Sequence, residues 1–144
     1  MIEQDTIRLL RECDAGVKMG ISSIGDVLKY VHADDLRHCL SNCKSEHEKL
    51  ENEIQELLDK YHDAGKEPNP MAKGMSWVKT NVKLAMKESD TAIADLMTDG
   101  CNMGVKSLNQ YLNQYTAADE RSKDIAKRLI HQEEKLTADM RSFL

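Results

Sequence analysis

Apolar side chains recur at three- and four-residue intervals over four long stretches of this chain. This spacing places them along one face of an α-helix, and turn signals separate the stretches. The pattern therefore predicts four helices, over residues 6–31, 34–62, 91–115, and from residues 116–119 to the C-terminus.

Polar residues at the ends of these stretches predict how the helices are capped. Gly65 is the predicted C′ residue after the second helix, because glycine tolerates a left-handed backbone. Thr116 followed three residues later by Asp119 resembles a capping box. The predicted N-caps are Asp5 or Thr6, Asp34, Ser89 or Asp90, and Thr116.

The connections between stretches predict the direction of each helix. Only His32 and Ala33 separate the first two helices, which must therefore be antiparallel neighbours. The second and third are separated by a linker over residues 65–70 and a further helix over residues 70–86. Such a helix would be about 25 Å long, enough to cross most of a bundle. We therefore expect helices two and three to run parallel.

An internal repeat supports the same arrangement. The segment CDAGVK at residues 13–18 recurs as CNMGVK at 101–106, and EKL at 48–50 recurs at 134–136. Repetition at nearly constant offset indicates a duplicated structural unit. The predicted unit is a helical hairpin, and the two hairpins should be related by a pseudo-two-fold axis. A chain of 144 residues fits a single domain, residues 1–144.

Composition narrows the class of protein. Aromatic residues make up 4% of the chain and there are two prolines, which favours an all-helical fold. The formal charge of −5 argues against nucleic acid as a partner, and no apolar run is long enough to span a membrane. The N-terminal residues do not resemble a secretory signal, so we expect a cytoplasmic protein with reduced cysteines.

Several stretches resemble a known superfamily. They are LLRECDAGVK at residues 9–18, residues 36–58 with GKEP at 65–68, residues 77–86, and residues 101–111. Over these stretches the chain is similar to ferritin-like proteins and, within them, to a bacterial family of domains without an assigned activity. The resemblance implies a ferritin-like four-helix bundle with a short helix in the long crossover between helices two and three.

The resemblance also implies where a di-iron site would lie. Such sites take one Glu from each of two helices and Glu-x-x-His from each of the other two. The family's Gly-Glu-Lys pattern reads Gly-Val-Lys here, so Val17 and Val105 replace both carboxylates. Glu46 is followed three residues later by Lys49 rather than His. These departures argue against a di-iron site.

Polar residues nevertheless interrupt the apolar stripes. His47 corresponds to Glu133 in the repeat, and we predict that they pair directly or through water. Asp14 and Asn102 form a second predicted couple. We favour a polar layer inherited from a metal-binding ancestor over a surviving mononuclear site. The weak candidate ligands for such a site are His47, Glu133, Glu46 and Glu134.

The cysteines also have two possible roles. Cys39 and Cys43 lie one turn apart, Cys101 should lie near the level of Cys43, and Cys13 should lie toward the other end. No Cys-x-x-Cys motif is present. Burial as small apolar residues is the favoured interpretation, and a redox or thiolate–metal role is the alternative.

Two functional hypotheses follow. The first is a non-catalytic helical bundle with a degenerate di-iron site, without cofactor, acting through self-association or an unidentified protein partner; a homodimer is one form. The second is a metal-binding ferritin-like protein, for iron storage or oxidation, which binds iron or another divalent metal at a rearranged site. The sequence assigns no catalytic or cofactor-binding residue.

Overall fold

The computed structural model describes residues 2–66 and 89–144, which contain four long helices and no strand. Helix α1 spans Ile2–Leu28, α2 Asp34–Lys60, α3 Ser89–Gln114 and α4 Glu120–Met140, followed by a 3₁₀ turn over Arg141–Phe143. The all-helical prediction is confirmed. The predicted crossover helix at 70–86 lies outside the described residues. Across the described ranges, every helix is too short or too polar to cross a lipid bilayer.

The helices form a four-helix bundle made of two hairpins. Helix α1 packs on α2, and α3 packs on α4. The two hairpins join mainly where α4 contacts α2 and α1, with a smaller contact between α1 and α3. Helices α1 and α4 therefore each pack against all three others, whereas α3 packs mainly on α4 within the described part of the chain.

Hydrogen bonds at the two ends of the bundle establish the helix directions. The backbone N–H groups of His32 and Ala33, between α1 and α2, donate to Asp90 in the first turn of α3 (2.8 and 3.0 Å). At the other end, the Asp119 N–H donates to Thr6 Oγ1 of α1 (2.8 Å). Helices α2 and α3 thus begin at the same end, which confirms the predicted parallel arrangement.

These contacts correct several predicted caps. The N-cap of α2 is Ala33 rather than Asp34, and its methyl side chain cannot accept a hydrogen bond. Asp90 binds the backbone N–H groups just before the helix. Thr6 lies inside α1 and binds the opposite connection. Asp119 is itself the N-cap of α4, accepting from the Ser122 N–H (2.8 Å), so the Thr116 capping box is not formed.

The sequence also predicted Gly65 as the residue that ends α2, and the structure has a different residue at that position. The left-handed residue immediately after α2 is His62, with φ of 54°. Gly65 also has a positive φ, 83°, but it lies three residues farther along, in the segment that folds back onto α1. Its role is therefore to shape that segment rather than to end the helix.

The core consists of two apolar clusters, one near each end of the bundle. Because burial of a Leu or Ile side chain contributes about 2 kcal/mol, each cluster is a substantial source of stability. The upper cluster lies near the α1–α2 connection and includes Ile24, Val27, Leu36, Leu40, Ile93, Met97, Cys101, Leu136 and Met140. The lower cluster lies near the α3–α4 connection and includes Leu9, Leu10, Cys13, Val17, Leu50, Ile54, Leu58, Leu108, Ile125 and Leu129.

Candidate functional site

A central polar layer separates the two apolar clusters. Each helix contributes one residue to it: Gly20 from α1, His47 from α2, Gly104 from α3 and Glu133 from α4. His47 and Glu133 are related by the repeat in the sequence, and both side chains are buried. The layer is therefore the place in the bundle where buried chemistry could occur.

The two glycines create the space that the polar side chains fill. A Cβ at Gly20 would lie 2.8 Å from His47 Cδ2, well inside van der Waals contact. A Cβ at Gly104 would collide with the Glu133 carboxylate. Each hairpin thus places a glycine on its first helix opposite a large polar side chain on its second. This close approach offsets the cost of glycine in a helix interior, which is about 1 kcal/mol.

His47 is held as a neutral imidazole. Burial lowers its pKa, and interactions with the Cys43 backbone and with Gln132 oppose that shift. Its Nδ1 lies 3.7 Å from Cys43 Sγ. The interaction with Gln132 is poorly aligned, because the buried Gln132 Oε1 has no partner in good hydrogen-bond geometry among the described residues.

Glu133 is the least satisfied group of the layer. Its Oε2 is buried and has no hydrogen-bond partner within residues 2–66 and 89–144. Burial raises its pKa to about 8, so the carboxyl is mainly protonated at neutral pH. The predicted direct pair with His47 is absent: His47 Nδ1 lies near Cys43 Sγ, and no hydrogen bond or ion pair joins the imidazole to Glu133 within the described ranges. Pairing through water stays a prediction.

The thiols near this layer have raised pKa values and are therefore expected to be unreactive at neutral pH. Burial, with a contribution from the Glu133 carboxyl, raises the pKa of both Cys43 and Cys101 to about 12. These two belong to the upper cluster and interact electrostatically, whereas Cys13 lies in the lower cluster, as predicted. Burial also raises the pKa of Cys13 to about 12. Because thiolates are the reactive form, all three should react slowly.

The weak metal-ligand candidates are not brought together. Glu46 is exposed and pairs with Lys49 at the surface (3.1 Å), and Glu134 is also exposed. Both therefore point away from His47 and Glu133. In the part of the chain that the structure describes, no three His, Cys, Asp or Glu side chains are arranged to hold a metal ion.

Asp14 and Asn102 do not form the predicted couple. Asp14 is fully buried, whereas Asn102 is exposed. Among the described helices, α1 contacts all three others, whereas α3 contacts mainly α4 and, to a smaller extent, α1, so equivalent repeat positions differ in burial. The same difference affects the two valines: Val17 is fully buried, and Val105 only partly.

Asp14 instead belongs to a second polar cluster, the Asp14 cluster, formed by Asp14, Lys18, Glu51, Gln55 and Lys66. Gln55 Nε2 donates to Asp14 Oδ1 (2.9 Å) and to Glu51 Oε1 (2.8 Å). The Lys66 N–H donates to Asp14 Oδ2 (2.8 Å), and Lys18 Nζ lies 3.0 Å from the same oxygen. Two carboxylates therefore share one amide group beside a lysine.

The sequence contained a signal for this cluster that periodicity alone did not reveal. Asp14 lies on an apolar stripe, and a buried carboxylate needs hydrogen-bond partners. Glu51 and Gln55 are one turn apart on α2, each adjacent to a stripe residue, Leu50 or Ile54. In an antiparallel hairpin such flanking positions face the neighbouring helix. They were therefore available as partners for Asp14.

Comparisons with models of protein families, with curated proteins and with solved structures found no match to this chain.

Proposed function

We propose that this chain is a ferritin-like four-helix bundle with a degenerate di-iron site, which is non-catalytic and acts through self-association or binding to another protein. The observation that carries the proposal is Val17, a fully buried aliphatic side chain where the resemblance implies a metal-binding carboxylate. An aliphatic group cannot ligate a metal.

The second hairpin supports the same conclusion. Val105 takes the equivalent position in α3. Glu133, the acid that α4 contributes to the central polar layer, has a pKa of about 8 because it is buried. A carboxyl held protonated in this way is suited to a dry core rather than to ligating a metal at neutral pH.

The surface of α3 supports a role in association. Met103 is 67% exposed and lies next to partly buried Gly104 and two residues from Val105. Across residues 102–114, Leu108 is the one buried residue. Met103 lies between the exposed, charged Asp99 and Lys106 on its face of α3, and it is the apolar side chain at which we place the contact with a second copy or partner.

Sedimentation equilibrium tests self-association. We expect a concentration-dependent dimer for the wild-type chain and a weaker one for Met103→Glu. The matched control is Asn109→Glu, which adds the same charge about 120° away around the helix. A chain that is monomeric at every concentration would remove self-association from the proposal.

One observation favours a second candidate, a metal-binding ferritin-like protein. Glu133 Oε2 has no partner among the described residues, and His47 Nδ1 lies 3.7 Å from Cys43 Sγ in the same region. Carboxylate, imidazole and thiolate are ligands for iron or zinc once deprotonated. Binding would require these side chains to move together.

Metal loading separates the two candidates. The chain is dialysed against iron(II), manganese(II) or zinc(II), and the retained metal is measured by elemental analysis. The first proposal expects far less than one ion per chain. Stoichiometric retention by the wild type, lost in His47→Ala and kept in the surface variant His131→Ala, would establish the second candidate instead.

A further inference from the structure

The segment that follows α2 turns back and binds α1. The Gly65 N–H donates to Asp63 Oδ1 (2.8 Å), which closes a tight turn. The Lys66 N–H then donates to the buried Asp14 carboxylate (2.8 Å), and Lys66 Nζ lies 2.6 Å from Glu12 Oε1. Asp14 thus binds the backbone of Lys66, and Glu12 binds its side chain.

Gly65 makes this contact possible. Its φ of 83° is a conformation that other residues rarely adopt. A Cβ at this position would also collide with Asp14 Oδ2 and press on Leu58. The segment therefore approaches the carboxylate as closely as the backbone allows, and its position depends on where the Asp14 carboxylate lies.

A second acid, Glu51, belongs to the same hydrogen-bond network as Asp14. Glu51 faces it across the α1–α2 interface, and Gln55 donates to both. Burial, with the neighbouring Asp14 carboxyl, raises the pKa of Glu51 to about 8, and the buried Glu51 Oε2 has no hydrogen-bond partner among the described residues. At neutral pH the Glu51 carboxyl is therefore mainly protonated and adds no negative charge beside Asp14 and Lys18.

We propose that the Asp14 cluster is a proton-dependent latch, which holds residues 63–66 on α1 while Glu51 is protonated and releases them when Glu51 is charged. Two adjacent negative charges repel each other, and Lys18 can neutralise only one of them. The repulsion displaces Asp14, and the Lys66 N–H loses its acceptor.

Among the described residues, charged side chains of α1 and of the segment after α2 surround Asp14 and Glu51. Helix α1 presents Glu12 and Lys18, and the connection presents Asp63 and Lys66. From α3, Tyr111 interacts with Glu12, and burial together with that acid raises the pKa of the phenol, so it stays neutral. Within the described ranges, no ion pair or hydrogen bond joins α4 to the cluster.

Amide hydrogen exchange of Lys66, followed by NMR and corrected for the intrinsic rate at each pH, tests the latch. In the wild-type chain we expect its protection to fall by about tenfold or more from about pH 6 to about pH 9, because Glu51 ionises over this range. In Glu51→Gln we expect protection that does not change with pH. The control Glu48→Gln removes an exposed charge from the same helix and should behave like the wild type.

A second variant tests the geometry without titration. Gly65→Ala should lose protection at Lys66 at every pH while amides in the middle of α2 stay protected. Wild-type protection that is constant across this pH range would overturn the proposal. So would a Glu51→Gln variant that loses protection in parallel with the wild type, or a Gly65→Ala variant that keeps it.

Discussion

Glu133 shows how a single buried acid couples stability to pH. Its folded-state pKa of about 8 lies above the ordinary value of 4.5, so the folded chain binds the proton more tightly than the unfolded chain. The stabilisation is fully present below about pH 4.5 and is lost as pH rises toward 8. Between these values the free energy of unfolding should fall by about 1.4 kcal/mol per pH unit from this group.

Glu133→Gln should remove that dependence, because glutamine has the shape of the protonated acid and cannot ionise. We expect the variant to match the wild type at about pH 5 and to be more stable by about 2 kcal/mol or more at about pH 8. Urea denaturation at both values measures the difference. The exposed neighbour Glu134→Gln is the control, and equal pH slopes in all three chains would show that Glu133 is not the responsible group.

Gly104 and Gly100 differ only in what faces them. A Cβ at Gly104 would meet the Glu133 carboxylate, whereas Gly100, one turn earlier on α3, has open space. Gly100→Ala should therefore stabilise the chain by about 1 kcal/mol through helix propensity alone. Gly104→Ala should instead destabilise it, by about 1–3 kcal/mol, because a well-packed site is overfilled.

A double variant distinguishes crowding from other causes. If Glu133 is the obstacle, Gly104→Ala should become neutral or stabilising in a Glu133→Ala background. The measurement is the free energy of unfolding for the four chains of the cycle. A penalty that persists without the Glu133 side chain would place the obstacle in the backbone of the neighbouring helix.

At the level of helices, the ends of the bundle are capped from the opposite hairpin. Asp90 of α3 accepts from two backbone N–H groups between α1 and α2, and Thr6 of α1 accepts from the N-cap of α4. Each hairpin thus provides hydrogen-bond acceptors for backbone N–H groups in the connection of the other hairpin. This exchange ties the two halves together more specifically than apolar packing, which is non-directional.

Asp90→Ala should cost about 1–2 kcal/mol, because it leaves the N–H groups of His32 and Ala33 without their acceptor. Asp90→Asn retains one acceptor oxygen and should cost less. The exposed Asp95→Ala on the same helix should have little effect. Chemical denaturation measures the free energy of unfolding of the three variants. If Asp90→Ala lowers it no more than Asp95→Ala does, capping between the hairpins is contradicted.

Across the bundle, all four helices run through both apolar clusters. Loss of one cluster would leave each helix with half of its buried face exposed, so we expect the two clusters to unfold together. Cys13 in the lower cluster and Cys101 in the upper cluster report on each half. Burial raises the pKa of both thiols to about 12, so labelling of the native chain should be slow.

Thiol labelling in increasing urea, read by mass spectrometry of the separate peptides, tests this cooperativity. Both thiols should yield the same opening free energy, equal to that of global unfolding. A smaller value for Cys101 would show that the upper cluster opens separately. Rapid labelling of three or more cysteines without urea would contradict the burial of these thiols in the folded chain.

The sequence predicted the helices well, but it did not predict which polar side chains interact. The three- and four-residue spacing located all four described helices to within a few residues, except that α1 begins at Ile2. It also identified His47 and Glu133 as polar interruptions of the apolar stripes, and both are buried. It was wrong about Asn102, Asp34 and Thr116, because exposure and capping depend on residues from other helices.

Periodicity, the short His32–Ala33 link and the repeat are local properties of the chain, so they were enough to establish an all-helical bundle of two hairpins. Which polar groups meet was decided by packing between segments far apart in the chain. Asp14 finds Glu51 and Lys66, and Asp90 finds the α1–α2 connection, only once the helices are assembled. Burial, and with it the pKa of Glu133 and Glu51, is likewise a property of the assembled bundle, because desolvation requires neighbours from several helices.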